Sequence, residues 1–141
     1  MKIEKILVAY DGSEESKQGL EWAIMFVQKF SALVEVVAVV KAPEFSTSID
    51  EVEEYLADGE KLVMPLLKSA EKYLCDAGVD TAKSVILRGH PAESIIHHAE
   101  SNDFDLIVIG NRGKGGFKNM LLGSIVNKVA TYSKVPVLIM K

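Results

Sequence analysis

Gly110-Asn111-Arg112-Gly113-Lys114-Gly115-Gly116-Phe117-Lys118-Asn119-Met120-Leu121-Leu122-Gly123-Ser124 is the stretch of this chain best suited to chemistry. Its glycines let backbone come close to a bound group, and Arg112, Lys114 and Lys118 bring positive charge. The apolar run Leu106-Ile107-Val108-Ile109 ahead of it reads as a buried strand, and Ile125-Val126-Asn127-Lys128-Val129-Ala130 behind it as a helix. A basic glycine loop therefore delivers the chain to a helix N-terminus, where free amides favour an anion. A nucleotide phosphate chain meets that description. The charge pattern agrees: Leu106 to Lys141 holds Arg112, Lys114, Lys118, Lys128, Lys134 and Lys141 with no acid, whereas Asp50 to Glu60 is rich in acids and has no base.

The elements that must position this loop can be read from hydrophobic patterning. Ile3–Tyr10, Leu33–Val40, Ser84–Leu87, Leu106–Ile109 and Val137–Met140 are rich in Val, Ile and Leu with weak alternation, the pattern of strands covered on both faces. Helices separate them. Glu14–Phe30 carries Leu20, Ala23, Ile24 and Val27 on one face, with Ser13 as N-cap. Ile49–Ala77 starts at a Ser48/Glu51 capping box, is expected to break at Pro65 into two pieces, and ends at Gly78. Pro91 opens a helix to about Ser101, and the last follows Gly123 to near Ser133. Ala42–Thr47, with Pro43, is the loop expected to move most. Such alternation predicts right-handed crossovers and a parallel sheet, whose ligands sit at the carboxyl ends of strands where strand order reverses. Asp11-Gly12-Ser13 ends the first strand as Gly110–Lys118 follows the fourth. If those strands are neighbours, both loops face one crevice.

Composition narrows the classes. At 141 residues the chain is expected to be one domain, 1–141, and its 48% hydrophobic content supplies a core. A net charge of −4 argues against a general nucleic-acid binder. The single cysteine, Cys75, excludes an internal disulfide and fits a reducing compartment. The short start before the first strand reads as no signal peptide, and no apolar run is long enough for a bilayer, so a cytoplasmic protein free of membrane is expected. His97 and His98 are adjacent and so point to different sides of one helix, and with His90 they find no zinc-ligand spacing. Cys75, in an apolar helix, is expected to be structural, and Trp22 of the first helix to be packed against the sheet.

Two familiar phosphate loops fail here. A P-loop needs Gly-Lys where Gly115-Gly116 stands, and a dinucleotide fingerprint beginning at Gly113 meets Lys118 in place of its third glycine. The spacing that fits is G-x2-G-x9-G-[ST], filled by Gly110, Gly113, Gly123 and Ser124. It resembles the ATP-binding signature of the universal stress protein family. The likeness extends along the chain: Ile6-Leu7-Val8-Ala9-Tyr10-Asp11-Gly12-Ser13-Glu14 is similar to that family's first strand and turn, Gly89-His90-Pro91 to its G-x-P step, and Val135-Pro136-Val137-Leu138-Ile139 to its closing strand.

The resemblance implies a doubly wound, Rossmann-like α/β fold with five parallel strands in the order 3-2-1-4-5. It implies that Asp11 reaches the ribose hydroxyls, that Gly110 lies beside the ribose, and that Gly113, Gly123 and Ser124 hold the phosphates. Val39 would read the adenine edge through its main chain, with Ala9 and Ile125 flanking. Arg112 joins the set for its charge and position. The implied ligand is ATP, or AMP or ADP, with Mg2+ carried on the phosphates. The implied role is a nucleotide-dependent regulator of stress response with at most slow hydrolysis or autophosphorylation. The alternatives are a scaffold with incidental nucleotide or a small nucleotide hydrolase of related fold. A homodimer through the last strand is expected, because Val137-Leu138-Ile139-Met140 would otherwise leave an apolar edge open.

Overall fold

Strand and helix alternate strictly in the computed structural model, which describes residues 2–43, 48–111 and 123–141. The order is β1 (Lys5–Ala9), α1 (Glu14–Phe30), β2 (Leu33–Lys41), α2 (Ile49–Asp76), β3 (Lys83–Gly89), α3 (Pro91–Ser101), β4 (Leu106–Gly110), α4 (Ser124–Tyr132) and β5 (Val137–Met140). The strands form one sheet in the order β3-β2-β1-β4-β5. All four pairings are parallel, with Val8 beside Val36 on one side and Val108 on the other. Strand order thus reverses at β1, between β2 and β4.

The weak alternation in the strands has a direct cause: both faces are covered. Ile6, Val8, Val36 and Val108 pack with Leu20 and Ala23 of α1 and Leu67, Ala70 and Leu74 of α2. Leu7, Val37, Ile107 and Ile109 pack with Ala92, Ile95 and Ala99 of α3 and Val126 and Val129 of α4. Full burial of one such aliphatic side chain stabilises by about 1.5–3 kcal/mol, so neither face of β1 can go uncovered cheaply.

Local signals fix most helix ends. Ser13 Oγ accepts from the Ser16 N–H, and Ser48 Oγ from the Glu51 N–H. Gly78 takes φ +91°, and the Val79 N–H returns to the Leu74 carbonyl at 2.8 Å, closing the end of α2.

Three expectations need correction. Pro65 lies inside α2, which runs as one helix. Pro65 and Lys61 face solvent, so water can satisfy the Lys61 carbonyl that proline's missing N–H leaves. Meanwhile Leu56, Leu67, Ala70 and Leu74 anchor both sides of the proline to the core. Trp22 is not packed against the sheet: it is 44% exposed and leans on Phe26, ring centroids 6.4 Å apart. Cys75 is exposed on α2. In both cases the core-facing positions belong to neighbours, Ala23 beside Trp22 and Leu74 beside Cys75.

Candidate functional site

The crevice begins where β1 stops. The Tyr10 N–H bonds the Val37 carbonyl at 2.8 Å, and then the chain turns away from the sheet. Asp11 Oδ1 accepts from the Ser13 N–H at 2.9 Å, closing a turn across Gly12. Gly12 has φ +83°, and a Cβ there would stand 3.1 Å from Leu66 Cδ2 of α2. The positive φ is what favours glycine here, and the nearby Leu66 methyl adds only a small packing demand. Burial pushes the Tyr10 hydroxyl pKa upward; Lys17 opposes this, and Asp11 and Glu14 add to it, so the phenol stays neutral.

β4 arrives beside this turn. A Cβ on Gly110 would lie 2.9 Å from Glu15 Cβ and 3.3 Å from the Ser16 nitrogen. The end of β4 thus rests on the first turn of α1, and the Asp11 turn and the Gly110 end share one crevice at the carboxyl edge of β1 and β4. Gly110 is needed here for helix–strand approach, a constraint separate from any ligand.

Beyond Gly110, Asn111 ties the crevice to α4. Its N–H bonds the Met140 carbonyl at 2.8 Å, and its own carbonyl accepts from the Gly123 N–H at 2.8 Å. Gly123, not Ser124, is the N-cap of α4, with φ −66° and ψ 160° and no side-chain cap hydrogen bond. Ser124 is therefore the first helical residue, and among the described residues no side chain caps the free amides of α4. The two helix starts at this edge differ sharply. α1 is capped by Ser13 and carries Glu14 and Glu15 in its first turn; α4 has neither cap nor acid there. An anion placed in the crevice is drawn to α4 and repelled at α1.

The remaining expected positions surround this centre. Ala9 and Val39 are half-buried against the α3/α4 side of the core, on neighbouring strands. Ser124 is exposed, and Ile125 is 43% exposed on the first turn of α4. Arg112, Gly113 and Lys114 lie outside the described residues, as does most of the Ala42–Thr47 loop. The histidines lie elsewhere: His97 is exposed on α3, while His98 Nε2 meets Glu35 Oε1 of β2 at 2.5 Å.

Sequence reasoning passed over Asn111 and Glu15. Asn111 is buried, at 7% exposure, and its Oδ1 meets no hydrogen-bond partner among the described residues. The available signal was an amide side chain at the first position after a buried strand, within a loop otherwise glycine-rich and basic. Nothing local marks Glu15, since its contact with Gly110 depends on how α1 crosses β4.

A family model described as the universal stress protein family matches residues 2–141. The chain is 34% identical to universal stress protein YxiE of Bacillus subtilis, over 97% of this chain and 98% of that one. The solved structure of universal stress protein UspA from Lactobacillus plantarum superposes with a TM-score of 0.89 at 20% identity, covering 100% of this chain and 99% of that one. An Archaeoglobus fulgidus universal stress protein solved in complex with dAMP superposes at 0.72, 22% identical and covered fully on both sides. A universal stress protein solved in complex with cAMP superposes at 0.75, 24% identical over 98% of this chain and 97% of that one. These structural likenesses speak for the fold.

Proposed function

The chain belongs to the universal stress protein family, and on that premise we propose that it is an ATP-binding regulatory module. The observation that carries the reading is the uncapped, acid-free start of α4 on the same crevice as the Asp11 turn. The phosphates sit at Gly113, Gly123, Ser124 and the α4 amides, with Arg112 adding charge. Asp11 accepts from the ribose hydroxyls, a bond suited to a carboxylate, and Gly110 lies beside the sugar. Val39, Ala9 and Ile125 hold the base and its flanks. Two relatives of the same fold, bound to cAMP and dAMP, support an adenine nucleotide as the class. AMP or ADP would occupy the same groups with fewer phosphate contacts, and Mg2+ would travel on the phosphates.

These groups bind and orient; none is placed as a base for water or a hydroxyl, so the role is regulation with at most slow hydrolysis or autophosphorylation. Nucleotide occupancy biases a partner surface or the dimer within a stress response. The reading takes 1–141 as one universal stress protein domain, cytoplasmic, and dimeric through β5. No helix among the described residues is long and apolar enough to cross a membrane.

Mass spectrometry of the nucleotide that co-purifies identifies the ligand, and calorimetry on Gly123→Val tests the site. Gly123 has ordinary backbone angles, so valine is tolerated by the chain while its branches enter the phosphate position. Loss of ATP binding in a folded variant is expected; unchanged affinity rejects the site. A scaffold reading draws on one observation, the aromatic stripe of α1 in which exposed Trp22 is tilted against Phe26 and exposed Phe30 is stacked on it. If a partner binds that stripe with the same affinity in Gly123→Val as in the parent, with and without ATP, nucleotide is incidental.

A further inference from the structure

Asn111 has no local reason to be an asparagine. Its backbone N–H and carbonyl are both used, to Met140 and Gly123, and neither bond needs a particular side chain. The side chain is nonetheless 7% exposed, and its Oδ1 finds no donor among the described residues. Buried acceptors are nearly always paired, so an orphan among the described residues leaves room here for a further donor or a cation.

Its direction follows from strand parity. Ile107 and Ile109 pack into the core with Val126 of α4. Gly110 turns the other way, toward Glu15. The Asn111 N–H extends the ladder to β5, so its side chain falls on the side of Ile107 and Ile109, toward the start of α4. An unpaired carbonyl oxygen thus lies beside the helix terminus best fitted to an anion.

An acceptor beside phosphate oxygens is a mismatch unless something positive or proton-donating stands between them. Phosphate oxygens at neutral pH are acceptors, and so is Oδ1. A hydrated divalent cation resolves the conflict, because its coordination sites and its waters both take neutral oxygens. We propose that Asn111 Oδ1 is the protein's own ligand, direct or through one water, for the divalent cation that accompanies the nucleotide phosphates. This rests on the nucleotide reading above and makes the crevice selective for the metal–nucleotide complex over the free nucleotide. Asn111 brings no negative charge, so it does not oppose the phosphates as a carboxylate would in the metal-free state.

The test is titration calorimetry of ATP in excess MgCl2 and in EDTA, on the parent protein and on Asn111→Leu, which keeps bulk and removes the acceptor. The parent is expected to bind at least tenfold tighter with Mg2+, and Asn111→Leu to lose most of that gain while its affinity in EDTA stays within about threefold. Mn2+ titrated with ATP and followed by electron paramagnetic resonance should show the same loss in the variant. The nucleotide-free variant should melt no lower than the parent, since it sheds an unpaired buried acceptor. An equal Mg2+ gain in both proteins overturns the proposal, as does a parent that binds ATP equally in MgCl2 and EDTA. A folded Asn111→Leu melting well below the parent also overturns it, because the carboxamide would then serve the fold. A parent that binds ATP in neither solution instead rejects the nucleotide reading itself.

Discussion

Single residues at this crevice answer to the fold and to the proposed ligand together, and substitutions can separate the two demands. Asp11 spends Oδ1 on the Ser13 N–H, so Asp11→Ala removes a turn bond as well as the proposed ribose acceptor. Asp11→Asn preserves an oxygen for the turn and removes the charge. Asp11→Ala is expected to weaken ATP binding roughly tenfold or more, as for a lost hydrogen bond to a charged group of about 1.5–3 kcal/mol. Asp11→Asn should keep the parent's melting temperature and fall between the two in affinity. Equal ATP affinity of all three by calorimetry would leave Asp11 a turn residue only. Gly110 shows the opposite balance. A methyl there meets Glu15 Cβ at 2.9 Å and the Ser16 nitrogen at 3.3 Å, so Gly110→Ala should cost about 1–3 kcal/mol of stability in urea melts even without nucleotide. A neutral Gly110→Ala would mean that α1 yields freely. The Asp11-Gly12-Ser13 turn after β1 and the start of α4 just after Gly123 were legible in the sequence because turn and helix-start signals are local. Asn111 and Glu15 were not, because their roles arise only when β4, β5, α1 and the start of α4 come together.

At the scale of elements, α2 carries the most instructive disagreement. Its proline reads as a break in one dimension, but the buried stripe on either side holds the helix as one piece in three. The same helix is fastened to β3 by Arg88, whose Nε donates to Glu60 at 2.5 Å and whose Nη1 donates to Glu53 at 3.0 Å. The hydrogen bond from Arg88 holds the Glu60 carboxyl below its ordinary value, with the positive charge adding to it and desolvation opposing. A carboxyl lowered in the folded state contributes stability above its unfolded value, and that contribution is lost as pH falls through the folded one. The parent should therefore lose thermal stability as pH drops below about 4, the ordinary carboxylate range. Arg88→Gln should melt slightly lower at pH 7 and show a smaller further drop at pH 3. Parallel melting curves for the two proteins across that range would remove Arg88 from the account. Helix limits were readable because Ser13, Ser48, Gly78 and Pro91 act within a turn of themselves. Trp22 and Cys75 were misread because hydrophobic character names who can be buried, while the helix face decides who is.

For the whole molecule, the two outer strands face different problems. β3 opens on Lys83, a charge that discourages pairing with another chain. β5 is Val137-Leu138-Ile139-Met140, short and wholly apolar. Antiparallel pairing of β5 with its copy about a two-fold axis would cover it, and Pro136 just before the strand costs no ladder bond. Ile139→Pro removes a donor at that edge and is expected to give a monomer of lower stability. Light scattering decides: a parent monomeric at micromolar concentration, or a folded Ile139→Pro that is still dimeric, rules this edge out. Strand order was legible through the family resemblance, whereas the pairing of an edge with a second copy depends on a surface that one chain does not display.

The adjacency of β1 and β4 has a consequence in time. Ile6 lies beside Leu106, so the crevice joins segments about a hundred residues apart, and β2, α2 and β3 intervene. Distant contacts carry a loop-closure cost and tend to form late. The β1–β2–β3 half can zip through nearest neighbours, whereas the proposed nucleotide crevice has no existence until β4 docks against β1. On the ribosome a chain halted before β4 would carry Asp11, the aromatic stripe and most of the core, yet none of the groups proposed to hold a phosphate. In stopped-flow refolding, nucleotide capture should consequently appear with the slowest structural phase rather than the first. Occupancy of the crevice would then report that the last portion of the chain has arrived and been accepted.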